Sequence, residues 1–194
     1  MGQGKKFQNQ LAHRAVVQVG EPEDSGVVEI QDMMFTVSGA TTDSHFRVGG
    51  AKGSELQANK CPKGGGINMD CIAASVLLHI TPKASAYIEN SWAWVADHDL
   101  DAANEAQIDI FSGRGILIES QSPTWLYGTS SEHNVLYQYQ LSRAKNVMMG
   151  MIQTESPYFQ PYPGAPLPIV TGEFPDDPNF DNCEQSTSLT CGIA

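Results

Sequence analysis

SSEHNVLYQYQLSRAKNVMMGMIQTESPYFQ, residues 130–160, combines two strand-like runs with two glutamates placed at their ends. The run VLYQYQL follows Glu132, and the run NVMMGMIQT leads into Glu155, which lies 23 residues further along the chain. If the backbone makes one full coil between them, both carboxylates lie on the same side of the molecule, one strand above the other. Short β-type runs at this spacing predict an all-β fold built from stacked coils.

Similar short runs, separated by turns, continue through the rest of the chain. An apolar residue before a polar pair recurs at Ile30, Ile88 and Ile118, and Leu141 follows Ile118 by 23 residues. Irregular repeats of this length, without hairpin dipeptides such as Asn-Gly, favour a solenoid, although pattern alone leaves a β-sandwich open. We therefore predict a right-handed parallel β-helix whose inward positions form aliphatic ladders.

The predicted strands form one region with a polar start and a proline-rich end. Residues 1–15 are predicted to be a disordered lead-in, 16–156 the coils, and 157–194 an extended proline-rich segment with a loop tail. One helical turn is predicted at 102–106. The predicted strand runs are 16–19, 27–30, 33–37, 46–48, 72–80, 86–95, 108–111, 115–119, 124–127, 134–141 and 146–154.

Charge and hydropathy argue against several classes of partner. The chain has 11 basic and 22 acidic residues and a formal net charge of −11, which argues against nucleic acid or an anionic membrane. It has no run of about 18 apolar residues that would span a membrane. The start MGQGKKFQNQ lacks the apolar core of a secretion signal.

Four cysteines fall into two local pairs, Cys61/Cys71 and Cys183/Cys191. Neither pair has the spacing of a zinc knuckle, and ADHDLD at 96–101 lacks the twelve-residue loop of a calcium hand, so we predict no metal. Both pairs lie in loops rich in glycine, proline and serine, which favours disulfides and an oxidising compartment over four buried thiols. Local pairing is one of three possible connectivities.

Three long motifs resemble one known family. They are SAYIENSWAWVADHDLD (85–101), GRGILIESQSPTWLYGTSSEHNVLYQY (113–139) and NVMMGMIQTESPYFQP (146–161). On these motifs the chain resembles the fungal β-1,3-glucanases of glycoside hydrolase family 55, secreted enzymes with a pectin-lyase-like fold of two tandem right-handed β-helices. The resemblance implies inverting, exo-acting hydrolysis of β-1,3-glucan by water, with no cofactor, and an extracellular location.

The resemblance also implies roles for individual residues. Glu155 falls on the family's general acid, and Glu132 on the acid that helps hold the attacking water. Trp94 and Tyr158 match aromatics that line the sugar site, and His133 is predicted to contact the substrate and orient its neighbours. An inverting carboxyl pair is expected to lie about 6.5–9.5 Å apart. Spacing alone would instead favour two solvated glutamates on the rim.

The chain departs from the family pattern in its extent. The family's N-terminal β-helix is absent, about one coil of roughly 20–30 residues is missing between Gly39 and Gly49, and the chain stops at TCGIA. We therefore expect a monomeric fragment whose natural packing partner is the missing β-helix, with Glu155 open to solvent and impaired activity. The alternatives are a non-catalytic glucan-binding or structural remnant and a polysaccharide lyase. Trp92 is predicted to be a core residue.

Overall fold

The computed structural model describes residues 44–181 in full, together with the backbone of three earlier strands at 15–19, 26–30 and 34–36. Residues 1–14 and 182–194, which include Cys183 and Cys191 and nearly all of the predicted lead-in, lie outside the described residues. The regular structure in the described part is thirteen β-strands and one short 3₁₀ helix at Met69–Cys71. The strands are β1 (Ala15–Val19), β2 (Gly26–Ile30), β3 (Met34–Thr36), β4 (Ser44–Val48), β5 (Ile72–Ile80), β6 (Ala84–Glu89), β7 (Ser91–Val95), β8 (Phe111–Ile118), β9 (Thr124–Tyr127), β10 (Ser130–Glu132), β11 (Tyr137–Leu141), β12 (Val147–Gly150) and β13 (Gln153–Glu155).

The strands are shared among three sheets in rotation. Sheet A has the order β1-β5-β8-β11, sheet B the order β2-β6-β9-β12, and sheet C the order β3-β4-β7-β10-β13. From β5 onward, each sheet gains one strand for every three that the chain forms, and the paired strands are parallel. Parallel neighbours need a long connection, and here the connection consists of the strands placed in the other two sheets. Because β8 and β9 lie in different sheets, they form no hairpin of the kind a sandwich would use.

The strand registers confirm part of the predicted repeat. Ile118 is the partner of Leu141 in sheet A, and Ile30 is the partner of Ile88 in sheet B. The proposed equivalence of Ile88 and Ile118 is wrong, since these residues lie in different sheets and Ile88 pairs with Leu126. An apolar residue before a polar pair can occur at any corner between two sheets. Each coil has several corners, so the pattern occurs more than once in a coil.

Two predicted runs are each divided into two strands. The run 86–95 is divided at Asn90 into β6 and β7, and the run 146–154 is divided near Met151 into β12 and β13. Asn90 and Met151 have left-handed φ values of 49° and 54°, which turn the chain from sheet B into sheet C. The prediction missed β10 altogether, because its sequence SSE has no apolar residue to mark a strand.

The interior is filled by side chains that stack from one strand to the next. In sheet B, Ile88 and Leu126 are register partners and are fully buried. In sheet C, Ala93 and Ser131 are partners and are buried in the same way. Burying an isoleucine or leucine side chain contributes about 1.5–3 kcal/mol, so the stacked aliphatic ladders are the main source of stability. Within the described ranges, no helix has the length and apolar character that crossing a bilayer would take.

A long loop at 49–71 joins β4 to β5 and is tied to the neighbouring loop at 96–110. The structure joins Cys61 and Cys71 in a disulfide, with their Cα atoms 5.9 Å apart. The carboxylate of Asp99 accepts a hydrogen bond of 3.0 Å from the backbone N–H of Ala58. The disulfide therefore lies in a loop that supports the 96–110 segment.

Two predictions within the 96–110 loop are wrong. The expected helical turn at 102–106 is replaced by separate backbone turns, in which Ala102 N–H bonds the Asp99 carbonyl and Glu105 N–H bonds the Ala102 carbonyl. The expected strand at 108–111 does not form as a unit, because Ile108 makes an isolated antiparallel bridge to Pro62 and β8 begins only at Phe111.

After β13 the chain returns over sheet A. The predicted extended path is wrong, since the segment is a series of turns with backbone bonds such as Gln160 N–H to the Pro157 carbonyl. Its anchor is Arg114, whose side chain is fully buried and lies 2.9 Å from a carboxylate oxygen of Glu173. The same guanidinium donates through Nε to Asp177 at 2.8 Å.

Candidate active site

Two rows of side chains cross the outer face of sheet C. Side chains on one face of a strand recur every second residue, and parallel register aligns them with the strands on either side. The prediction that Glu132 and Glu155 occupy the same position on neighbouring strands is confirmed by their pairing. One row is Arg47, Trp94, Glu132 and Glu155, and the other is His45, Trp92, Ser130 and Gln153.

The parts of these rows on β7, β10 and β13 form the floor of an open cleft of about 580 Å³. The corner between sheets B and C and the residues that follow β7 and β10 provide the remaining lining. The lining residues from these parts are Asn90, Ser91, Asp97, Gly128 and His133. The described lining holds three carboxylates, those of Asp97, Glu132 and Glu155, and neither lysine nor arginine, so the cleft is acidic.

Glu132 is held in a fixed position at the centre of the floor. It is only 5% exposed, and the hydroxyl of Ser130 donates a 2.5 Å hydrogen bond to its carboxylate. The amide of Asn134 donates at 3.1 Å to the backbone carbonyl of Glu132, which fixes the strand end. A carboxylate held in this way offers its remaining lone pairs to a water molecule in the cleft.

Glu155 is the more exposed partner of the pair. Its side chain is 54% exposed, in agreement with the expectation that it is open to solvent. Gln153 approaches one carboxylate oxygen at 3.4 Å, and Nε2 of His133 lies 3.3 Å from the other. Both contacts are long for hydrogen bonds of this type, so the carboxyl group is free to rotate toward a ligand.

His133 reaches the cleft because its backbone is left-handed. With φ at 64°, the residue departs from the strand alternation after Glu132 and directs its ring toward Glu155. Its Nδ1 lies 2.9 Å from the carbonyl oxygen of Val95, which can only accept, so Nδ1 carries a hydrogen. The contact between Nε2 and Glu155 becomes a hydrogen bond when a proton lies on either the imidazole nitrogen or the carboxyl group.

The two carboxyl groups approach each other closely. Glu132, His133 and Glu155 each bring one N or O atom into a group whose members all lie within 4.8 Å of one another. One carboxylate oxygen of Glu132 and one of Glu155 are therefore at most 4.8 Å apart, and the resemblance implies a separation of about 6.5–9.5 Å between the two carboxyl groups. Acidic groups commonly lie this close without an ion, and we assign no metal to them.

Two stacked tryptophans lie beside the carboxylates. The rings of Trp92 and Trp94 are 4.3 Å apart and nearly parallel, and the guanidinium of Arg47 lies 5.9 Å from the Trp94 ring. Trp92, predicted to be core, is partly buried against the core and also lines the cleft. Both indole Nε1 atoms are buried without a hydrogen-bond partner among the described residues, which is uncommon for a buried donor.

Tyr158 lies behind His133 and not on the described cleft lining. Its hydroxyl accepts a 3.1 Å hydrogen bond from the backbone N–H of Ile110 and donates to the carbonyl of Ile108. Burial raises the pKa of this phenol well above its ordinary value. Its ring meets the His133 ring edge-on at 5.3 Å, so in this structure Tyr158 supports the histidine.

Sequence reasoning missed several residues of the cleft. Ser130 and Gln153 lie two positions before Glu132 and Glu155, and the period of a strand would have placed them on the same face. Asp97 faces the cleft, a position that the pattern ADHDLD did not single out.

Comparison with known proteins gives relatives over nearly the whole chain. A "Non-secreted LysM effector LysM15" of Penicillium expansum is 57% identical over 97% of this chain and 15% of its own length. A "Probable glucan endo-1,3-beta-glucosidase" of Arthroderma benhamiae is 43% identical over 98% of this chain and 24% of its own length. A "Glucan 1,3-beta-glucosidase" of Cochliobolus carbonum is 39% identical over 96% and 26%, respectively.

These relatives are much longer than this chain, which spans about a quarter of their length or less. No family model matches the chain. The names of two of the relatives nevertheless agree with the resemblance drawn from the three sequence motifs. The chain is therefore homologous, along nearly its whole length, to part of the fungal β-1,3-glucanases.

Proposed function

We propose that this chain forms the carboxylate side of a β-1,3-glucan hydrolase site of the family 55 type, built on a right-handed parallel β-helix. The observation that carries the proposal is the register pairing of Glu132 with Glu155 beside Trp94 in an open cleft. The rotation of strands through sheets A, B and C supports the β-helix. Two relatives that align over nearly the whole chain are named as glucosidases of 1,3-β-glucan, which supports the substrate.

The two glutamates divide the chemistry of an inverting hydrolysis. Glu155, the half-exposed group beside His133, acts in its protonated form and donates its proton to the leaving glycosidic oxygen. Glu132, buried and fixed by Ser130, holds the water that attacks the anomeric carbon from the opposite side of the sugar ring. The glycosidic bond breaks as the water adds, and the water's proton passes to Glu132.

A sugar has to separate the two carboxyl groups before this reaction. Carboxylate oxygens at most 4.8 Å apart leave too little room between the two groups for both a sugar and the attacking water. Because Glu132 is buried and Glu155 is half exposed, the side chain that moves is that of Glu155. Rotation away from His133 opens the gap and brings the acid to the bound sugar.

Sheet C supports the predicted loss of about one coil. Its strands β3 and β4 are consecutive in the chain and pair in parallel, whereas its later strands are separated by strands of sheets A and B. Only residues 37–43 join them, fewer than the dozen or more that a parallel connection needs. The alignment with the Arthroderma relative runs over 215 positions, more than the 194 residues of this chain. We propose that one pair of A and B strands is missing in the connection 37–43, which overlaps the start of the predicted gap between Gly39 and Gly49.

We further propose an extracellular monomer that packs against a second β-helix in the complete enzyme. The disulfide between Cys61 and Cys71 supports an oxidising compartment. The relatives' greater length supports further coils around the cleft. The printed name of the Penicillium relative, by contrast, says that it is not secreted.

A second candidate is a non-catalytic glucan-binding protein. The exposure of Glu155 favours it, because a general acid works best in a site that excludes water. A lyase of the same fold is less well supported, since the cleft is acidic and an anionic substrate would need basic groups. Polygalacturonate converted to unsaturated products would favour the lyase.

The test is hydrolysis of laminarin by this chain and by the chain joined to the preceding half of a relative. Glu155→Gln should lower turnover of the joined protein about 10²–10⁴-fold, because the leaving oxygen loses its proton donor. The matched control is Glu119→Gln, since Glu119 also pairs with a histidine, His79 at 2.7 Å, but on sheet A. We expect the chain alone to be much slower than the joined protein.

Each outcome separates the candidates. Laminarin turnover that survives Glu155→Gln contradicts the assignment of the general acid. Equal turnover by the chain alone and by the joined protein shows that the cleft is complete without the second half. Binding of laminarin without any turnover in either protein favours the non-catalytic candidate.

A further inference from the structure

The outer face of sheet B carries exposed aromatic side chains outside the cleft. On β9 the buried residues Thr124 and Leu126 alternate with Trp125 and Tyr127, which are 39% and 36% exposed. Trp125 is aligned with Tyr87 on one side and with Met148, itself 43% exposed, on the other. Single exposed hydrophobic residues are ordinary on protein surfaces. Several large ones aligned across three strands indicate a binding surface.

Glycine leaves the ring of Tyr127 uncovered on one side. The register partner of Tyr127 on β12 is Gly150, and a Cβ atom built there would lie 3.4 Å from the Tyr127 ring. Any larger residue at this position would therefore cover part of the ring. On the other side, Glu89 is aligned with Tyr127 and accepts a 2.9 Å hydrogen bond from the Tyr87 hydroxyl.

This surface is continuous with the cleft. Tyr127 is followed by Gly128, which lines the cleft, and then by β10 with Ser130. Gly128 is left-handed with φ at 58°, and a Cβ atom there would lie 2.8 Å from the Asn90 side chain, so position 128 adds no side chain beside that of Asn90 at the corner. A linear ligand can therefore pass from the cleft over Gly128 and Asn90 onto sheet B without an obstruction at Gly128.

We propose that the sheet B platform, defined as Tyr87, Glu89, Trp125, Tyr127 and Met148, is a second binding site for a neutral β-linked polysaccharide. The proposal rests on the proposed function for its ligand class, the glucan chain that enters the cleft. The platform holds the part of that chain that lies beyond the reacting sugar. It supplies affinity for long chains and takes no part in bond cleavage.

The chemistry of the platform fits a sugar chain. A β-glucopyranose ring has its hydroxyl groups at the edge and its axial C–H bonds on its faces, so each face is apolar and stacks on an aromatic ring. Tryptophan and tyrosine provide large, stiff contact areas for this purpose. The carboxylate of Glu89 and the amide of Asn90 offer hydrogen-bonding groups to the hydroxyls at the edge. With Glu89 as its only charged member and a net charge of −11 on the chain, the platform favours a neutral ligand over an anionic one.

The experiment measures retention of the chain on insoluble β-1,3-glucan, with cellulose and chitin in parallel. Trp125→Ala combined with Tyr127→Ala should weaken retention on the glucan roughly tenfold or more, since two stacking contacts are lost. Tyr162→Ala is the matched control, because Tyr162 is an aromatic residue with 84% exposure outside the platform. A second variant, Gly150→Gln, keeps both rings and covers Tyr127, and should weaken retention in the same direction.

Hydrolysis of a short soluble glucan by the joined protein separates this proposal from the proposed function. A chain too short to reach sheet B should be cleaved equally by the platform variants and the unaltered sequence. Retention unchanged by both platform variants overturns the platform and leaves the active site untouched. Retention on cellulose or chitin instead, lost with Trp125, supports the platform and overturns the glucan assignment. Retention on none of the three polysaccharides overturns the platform.

Discussion

The outer faces of sheets A and C differ in the partners that surround their buried charged side chains. On sheet A, the fully buried Arg114 contacts Glu173 and Asp177 of the segment that packs over it. On sheet C, the buried Glu132 has a serine hydroxyl as its hydrogen-bond donor, and the neighbouring Glu155 is half exposed. The first face is closed by its own chain, and the second opens into a cleft.

The difference separates a structural charge from one available for chemistry. A buried ion with buried partners helps to fix the structure around it. Removing one member of such a pair is destabilising, because the other charge stays buried without a partner of opposite sign. A carboxylate held by a hydroxyl retains lone pairs for water or substrate. Two faces built from the same repeat therefore serve different purposes, and within the described residues the segment after β13 closes the face of sheet A.

Replacing Arg114 should have the largest effect on stability. Arg114→Met leaves the carboxylates of Glu173 and Asp177 without their buried cation, so we expect the free energy of unfolding to fall by about 3–5 kcal/mol. The measurement is equilibrium unfolding in urea. Arg143→Ala is the matched control, because Arg143 is 77% exposed and 3.7 Å from Asp176, and its loss should cost less than about 1 kcal/mol. Equal losses in the two variants would show that the segment does not close sheet A in solution.

The sequence allowed the carboxylate pair to be predicted, since Glu132 precedes one strand-like run, Glu155 follows the next, and the two lie 23 residues apart. The anchor on sheet A could not be predicted in this way. Arg114 and Asp177 are 63 residues apart, and nothing in the local pattern of either residue indicates the contact. Long-range partners of this kind depend on the path of the proline-rich segment, which folds into turns where an extended path was expected.

Local backbone geometry explains the remaining differences. The predicted strand 86–95 ran through the corner at Asn90. A left-handed asparagine turns the chain there, and neither glycine nor proline marks the turn in the sequence. His133 entered the cleft through the same kind of conformation. Alternation along a strand would have placed it on the face opposite Glu132. The sequence therefore allowed some of the cleft residues to be identified, but it did not predict which way their side chains point.

Removing the disulfide should destabilise the side of sheet C and leave the outer face of sheet A protected. Cys61→Ala with Cys71→Ala should lower the free energy of unfolding by about 2–3 kcal/mol, because the unfolded chain loses a short closed loop. Hydrogen exchange should accelerate in the 49–71 loop and near Asp99, which that loop binds, while amides around Arg114 keep their protection. Equal acceleration on both faces would contradict a role confined to the side of sheet C.

The smallest expected effect concerns Tyr139, which connects the two faces through the interior. It belongs to β11 of sheet A, but its hydroxyl donates to Thr129 beside sheet C. Burial raises its pKa to about 12, the Thr129 hydrogen bond lowers it, and the charge of Glu132 raises it. Because the folded pKa exceeds the unfolded value of 10.0, the stability that the neutral phenol contributes is complete below pH 10 and is lost as the pH rises through 12. Difference absorbance of tyrosinate against Tyr139→Phe should give this midpoint, and Glu132→Gln should lower it. A midpoint that Glu132→Gln leaves unchanged would show that the buried carboxylate does not act on the interior between the sheets.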